Sequence, residues 1–264
     1  GRFIFSKEDF VSHSLPLTIE IVKPPDLLLY HTINRNPMNQ QKLPQKVILA
    51  SASPRRRQFL SELGLAHTTA AADIDESPQP GEQTELLAAR LALGKASAVA
   101  DALPFDQRPA LVIGADTVVA LDGESLGKPA DAAEATRMLV ALRGRVHQVH
   151  SGLAVVRVDE TQREERVIVN TSHVTMRPYS DAEIAAYIAT GDPQDKAGAY
   201  AIQHRDFDPV ARLDGCPSGV MGLPVRDLLT LLSDFGVVVD CPLASVCQRL
   251  TGLACCQIDS RSGG

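Results

Sequence analysis

The sequence predicts an α/β domain built on a mixed β-sheet, and three observations point that way. Short apolar strand-like runs alternate with helical segments along most of the chain, a hairpin signal stands at Asp122-Gly123, and other strands are joined through helical crossovers. With 264 residues and 44% hydrophobic content, the chain can bury one substantial core without relying on disulfides or metal.

Taken in order, residues 1–45 are irregular and interrupted by Pro16, Pro24, Pro25, Pro37 and Pro44, so they read as an extension outside the core. Met38 is the first methionine, and translation is expected to begin there; a genuine extension with its own role is the alternative. Residues 46–240 are expected to form the catalytic domain, and 241–264 a cysteine-containing tail. The domain opens with the apolar strand Val47-Ile48-Leu49-Ala50, which passes through Ser51-Ala52-Ser53-Pro54 into a helix ending near Gly64. Thr84 is placed to cap a second helix that carries Leu86, Leu87, Leu91 and, near its end, Lys95. Leu111 to Val119 reads as a buried strand turning at Asp122-Gly123. Asp131 caps a third helix, stopped by Gly144. Two β-rich stretches follow, Val146–Val158 and Arg166–Met176. Ser180 and Glu183 then form a capping box for a helix ending at Gly191. The segment Ala197–Gln203, the loop Gly222-Leu223-Pro224 and an apolar helix Val225–Phe235 complete the domain.

A formal net charge of -6 gives no general attraction to polynucleotide or anionic lipid, and 4% aromatic content offers little base stacking. Nucleic acid and membrane are therefore not expected as partners. Five cysteines, mostly late in the chain, do not make a secreted disulfide framework, and no apolar run suits a bilayer, so a cytoplasmic protein is expected. Cys216, Cys247, Cys255 and Cys256 fit no standard zinc spacing and read as packed or surface thiols. His147 and His150 read as lying on a strand surface.

Some residues carry chemistry. Ser53 N-caps a helix whose first turn holds Arg55, Arg56 and Arg57. Cations at a helix N-terminus oppose the macrodipole, but free amides together with guanidinium groups make a place for phosphate. A solvated basic turn is the other reading. Asp116 lies inside an apolar strand, where a carboxylate needs a partner, a metal or a cleft edge. Asp73, Asp75 and Glu76 form an acidic loop that, with Asp116, could hold Mg²⁺ or Mn²⁺, or simply be a solvated turn. Lys95 and Lys128 could neutralise phosphate or be surface residues. Walker A, dinucleotide-glycine, zincin and nucleophile-elbow patterns are all missing.

In this order, Ser51-Ala52-Ser53-Pro54-Arg55-Arg56, Asp75-Glu76, Gly114-Ala115-Asp116-Thr117, Leu126-Gly127-Lys128-Pro129, Asp195-Lys196-Ala197-Gly198-Ala199-Tyr200-Ala201-Ile202-Gln203 and Gly222-Leu223-Pro224 resemble the Maf family over about Val47–Val238. The resemblance implies a two-lobed α/β fold, a mixed twisted sheet flanked by helices as in the ITPase-like pyrophosphatases, with the active-site cleft between the lobes, and often a homodimer. It implies a hydrolase that cuts a nucleoside triphosphate to monophosphate and pyrophosphate by metal-assisted attack of water on the α-phosphorus. Asp116, Glu76 and Lys128 become the catalytic candidates, Glu76 and Asp116 the metal ligands, and Ser53, Arg55, Arg56, Lys95, Thr117 and Gln203 the substrate-binding set.

Arg55 after Pro54, Thr117 after Asp116, and Gln203 at the end of its motif resemble the branch acting on dTTP and UTP. An amide at Gln203 offers a pyrimidine edge both a donor and an acceptor. The sequence departs from the family pattern at His204–Pro209 and Cys216–Met221, which leaves the exact substrate open. A nucleotide-binding regulator of cell division without turnover, or a phosphohydrolase that removes only the terminal phosphate, are the competing readings.

Overall fold

The structure, a computed structural model, describes residues 19–22, 28–32 and 46–255. The expectations for Met38 and for most of residues 1–45 lie outside these, as does Cys256. Strands β1 (Ile19–Val22) and β2 (Leu28–Thr32) pair with each other, and β2 pairs antiparallel with β8 (Arg163–Met176). Parallel strands β3 (Lys46–Leu49) and β5 (Ala110–Leu121) lie side by side toward the other end of the sheet, with the two-residue β4 (Thr68–Thr69) at the edge beyond β3. The long β7 (Val146–Val158) pairs antiparallel with both β5 and β8. The order is β1-β2-β8-β7-β5-β3-β4, with β6 (Glu124–Leu126) on β5 and β9 (Val210–Asp214) on β8. The predicted α/β class and mixed sheet are both present.

Local signals account for most boundaries. Asp131 accepts a hydrogen bond from the Glu134 amide at the start of α3 (Ala132–Leu142), and Ser180 and Glu183 complete the capping box of α4 (Asp181–Ala189). Asp122 and Gly123 take positive φ in the two-residue β5–β6 turn. Two expectations shift. The cap of α2 (Thr84–Ala102) is Gln83 rather than Thr84, with no side-chain bond. Lys95 lies in the middle of α2 rather than near its end, because the apolar period runs on through Ala96, Val99 and Ala100.

Helices cover both faces of the sheet. On one, beside the short α5 (Pro217–Val220), helices α1 (Pro54–Glu62), α6 (Val225–Asp234) and α7 (Leu243–Thr251) bury Phe59, Leu60, Leu228, Leu231, Leu232 and Val246 against Leu49, Leu111, Ile113 and Leu153. Cys247 and Cys255 are packed in this cluster, and burial, reinforced by the neighbouring Cys255 thiol, pushes the Cys247 thiol up to about 12. Helix α2 covers the other face, and α3 and α4 make a second lobe with Tyr179, Tyr187 and Phe207 around the far ends of β5, β7 and β8.

Helix α2 lies close to the sheet because glycines leave room for it. A Cβ at Gly114 would stand 2.1 Å from the Ala92 carbonyl oxygen, and one at Gly152 would stand 2.0 Å from that of Ala88. Gly152 is paired with Asp116 across the β5–β7 ladder. Replacing Gly152 with alanine must therefore lift the helix that carries Lys95. We expect Gly152→Ala to cost about 3 kcal/mol and lower the unfolding midpoint by about 10 °C, measured by calorimetry. An unchanged midpoint would contradict this seating of α2.

Candidate active site

The cleft opens where one strand stops and its neighbour continues. β3 pairs with β5 only as far as Leu49 opposite Ile113, and β6 takes up pairing with β5 again at Val119. Between them, residues 114–118 of β5 have no strand partner on that side among the described residues. Because side chains alternate along a strand, Asp116 points to the α2 face and Thr117 to the α1 face. Both reach a cleft of about 830 Å³.

On the α2 side, Lys95 Nζ lies 2.6 Å from Asp116 Oδ1 and 2.8 Å from Glu76 Oε1. Lys95 and Asp116 are nearly buried, whereas Glu76 is half exposed. One ammonium thus gathers two carboxylates from different elements and leaves a net negative charge. Asp75 accepts the Ser77 amide at 2.9 Å, which holds its carboxyl below the usual range and fixes the turn carrying Glu76.

On the α1 side, Ser53 stands at the N-cap position but its side chain makes no capping bond, and the first turn contains no acid. Arg56 donates from Nε to the Gly222 carbonyl at 2.8 Å, from one terminal nitrogen to Ser51 Oγ at 3.2 Å and from the other to Thr117 Oγ1 at 3.5 Å. All three acceptors are neutral, so among the described residues no ion pair offsets this charge. Desolvation lowers its pKa while Asp116 and Glu76 pull the other way. Lys128, exposed after β6, also lacks an ion pair among the described residues; the Gly127 carbonyl before it accepts the Gly198 amide at 3.0 Å. Lys196 also lines the cleft, but Asp192 and Asp195 hold its ammonium at 2.9 and 2.6 Å.

Ser53, Arg55, Arg56, Glu76, Lys95, Asp116, Thr117 and Lys128 all line this cleft. Gln203 does not, although Ile202 before it does; its buried Oε1 has no hydrogen-bond partner among the described residues. Ser51 and Gly222 belong to the sequence motifs, but their contact with Arg56 depends on the fold. Gly222 takes a φ of +112°, open only to glycine at little cost, and this aims its carbonyl at Arg56.

The model of the Maf-like protein family matches residues 46–235. The chain belongs to the Maf family. Among its relatives, the dTTP/UTP pyrophosphatase of Myxococcus xanthus is 46% identical over 191 residues, covering 72% of this chain and 93% of the relative. That of Chromobacterium violaceum is 45% identical, with 72% and 95% covered, and that of Moorella thermoacetica 46%, with 74% and 97%. In this Maf chain no described helix is long and apolar enough to cross a membrane.

His147 and His150 correct the sequence reading: both are buried, not on a surface, His147 beneath the second lobe and His150 on the α2 face of the sheet, each beside a hydroxyl. His147 Nε2 lies 2.8 Å from the hydroxyl of Tyr200, which lines the cleft, and His150 Nδ1 lies 2.9 Å from Thr171 Oγ1. Burial pushes both imidazoles down to about 4. A base whose pKa is depressed on folding contributes full stability above its unfolded pKa near 6.5 and loses it as pH falls toward 4. Buried Asp227, shifted up by desolvation, acts oppositely, but two imidazoles outweigh one carboxyl. Urea unfolding should therefore show about 2 kcal/mol less stability at pH 5 than at pH 7. A flat profile across that window would contradict the neutral, buried imidazoles.

Proposed function

We propose that this chain hydrolyses dTTP or UTP to the monophosphate and pyrophosphate, as a nucleoside triphosphate pyrophosphatase. The observation that carries the reading is the division of the cleft: an unpaired guanidinium and uncapped helix amides on one face of β5, and two carboxylates gathered by one lysine on the other. The first group suits a polyphosphate, and the second suits activation of water.

The residues present fit a divalent cation. Glu76 and Asp116 supply hard oxygen donors close enough to share one ammonium, and no described group of three or more ligating side chains forms a closed protein site. That is the donor set expected for Mg²⁺ or Mn²⁺, where substrate oxygens and water complete the coordination. When bound, such a cation neutralises phosphate charge and acidifies water.

The chain's own groups do the rest. Ser53, the first-turn amides of α1 and the two remaining N–H groups on the terminal nitrogens of Arg56 bind phosphate oxygens. Lys128 approaches from beyond β6 and balances charge on the departing pyrophosphate. Lys95 holds Oδ1 of Asp116, while Oδ2 has no protein partner among the described residues and takes the proton of the attacking water. Arg55 and Thr117, which line the cleft, orient the nucleotide in this reading, and the homodimer implied by the family and the cytoplasmic setting expected from the sequence belong to it too.

Purified protein given dTTP or UTP with Mg²⁺ should release pyrophosphate and not orthophosphate, and Asp116→Asn should slow turnover by about a thousandfold. Arg56→Ala should raise KM by roughly ten- to a hundredfold. Orthophosphate as the first product would favour a terminal phosphohydrolase. Tight nucleotide binding without turnover would favour the regulator.

A further inference from the structure

Arg56 belongs to a closed hydrogen-bonded ring whose inner members do not touch the cleft. Ser151 lies on β7 directly opposite Thr117 and is 1% exposed. Its Oγ donates to the Gly219 carbonyl at 2.7 Å. A carbonyl can only accept, so the single hydroxyl proton of Ser151 is spent there. The contact of 3.4 Å between Ser151 Oγ and Thr117 Oγ1 then has one assignment: Thr117 donates and Ser151 accepts. With its own proton directed inward, Thr117 turns a lone pair toward Arg56, whose terminal N–H donates to it.

The circuit closes through the main chain. The Gly219 carbonyl also accepts the Gly222 amide at 2.7 Å, and the Gly222 carbonyl accepts Arg56 Nε at 2.8 Å. The inner links are short and the two on Thr117 are long, so the adjustable part of the ring lies beside Asp116. The segment bearing Gly219 and Gly222 is pinned to the sheet independently. The Cys216 amide donates to Ser172 Oγ at 2.9 Å, and Asn170 donates to Asp227 at 2.8 Å.

We propose that Ser151 is a positioning residue for substrate binding: it fixes the direction of the Thr117 hydroxyl and thereby aims the unpaired guanidinium of Arg56 at the triphosphate. This rests on the reading of Arg56 as a phosphate ligand. Without the Ser151 hydroxyl, the Thr117 proton loses its inward acceptor and competes for the space Arg56 donates into. The Gly219 carbonyl keeps the Gly222 amide, so Ser151→Ala leaves no buried carbonyl unpaired and the variant folds.

The test is a double-mutant cycle on the full chain, reading KM and kcat for dTTP or UTP by pyrophosphate release, alongside unfolding midpoints. Ser151→Ala should raise KM about tenfold with kcat changed less than about threefold, and Ser151→Thr should restore KM. The double variant Ser151→Ala/Thr117→Val should match Thr117→Val alone within about twofold, since both break the same link. Multiplicative losses, an unchanged KM in Ser151→Ala, or a KM that tracks the unfolding midpoint would overturn the proposal. Arg56→Ala is measured in parallel. If it leaves KM unchanged, the phosphate-binding reading fails; if it raises KM while the cycle is additive, only the role of Ser151 fails.

Discussion

The site depends on β3 stopping after four residues while β5 runs on for twelve. A continuous ladder would bury residues 114–118 of β5 between two strands, and an ionised Asp116 there would carry a desolvation cost of several kcal/mol. The chain instead leaves the sheet at Ala50, whose amide makes a last bond to the Ile113 carbonyl at 2.7 Å, and passes through Ser51–Ser53 into α1. That departure opens a crevice at the carboxyl end of β3, alongside the middle of β5, and the carboxyl ends of strands are where α/β sheets commonly bind ligands. It also lets two successive residues of one strand, on opposite faces, serve a single cleft.

The helices then distribute charge across it. Helix α2 brings a lysine, and the sheet and a loop bring carboxylates to it, so that side is satisfied internally and has negative charge to spare. Helix α1 brings its N-terminus and an arginine bound only to neutral oxygens, so that side remains positive. The seating of α2 on Gly114 and Gly152 matters to this division, because Lys95 sits only one residue from Ala96, whose atoms also press on Gly114. Charge separation across a cleft of this size directs a polyanion to one wall and leaves the acid-base group on the other.

Much of this was legible from local pattern. The capping box at Ser180 and Glu183, the cap at Asp131 and the turn at Asp122-Gly123 are short-range chemistry, and the structure contains each. The basic first turn of α1 and the carboxylate within an apolar strand were both anomalies for stability, and both line the cleft. What pattern did not yield depends on strand register. The burial of His147 follows from packing beneath the second lobe and that of His150 from the α2 face of the sheet, beside hydroxyls on Tyr200 and Thr171 that are distant or non-adjacent in sequence. Ser151 meets Thr117 only because β7 pairs antiparallel with β5 in one register, and Gly222 meets Arg56 across 166 residues of chain.

In the proposed reaction water attacks the α-phosphorus while the cations of the α1 side hold the pyrophosphate end. Hydrolysis of dTTP or UTP in ¹⁸O-labelled water, followed by mass spectrometry of both products, tests it most directly. The arrangement of Asp116 opposite Arg56 predicts one labelled oxygen in the nucleoside monophosphate and none in the pyrophosphate. Label in the pyrophosphate would place attack on the β-phosphorus and contradict this account of the cleft.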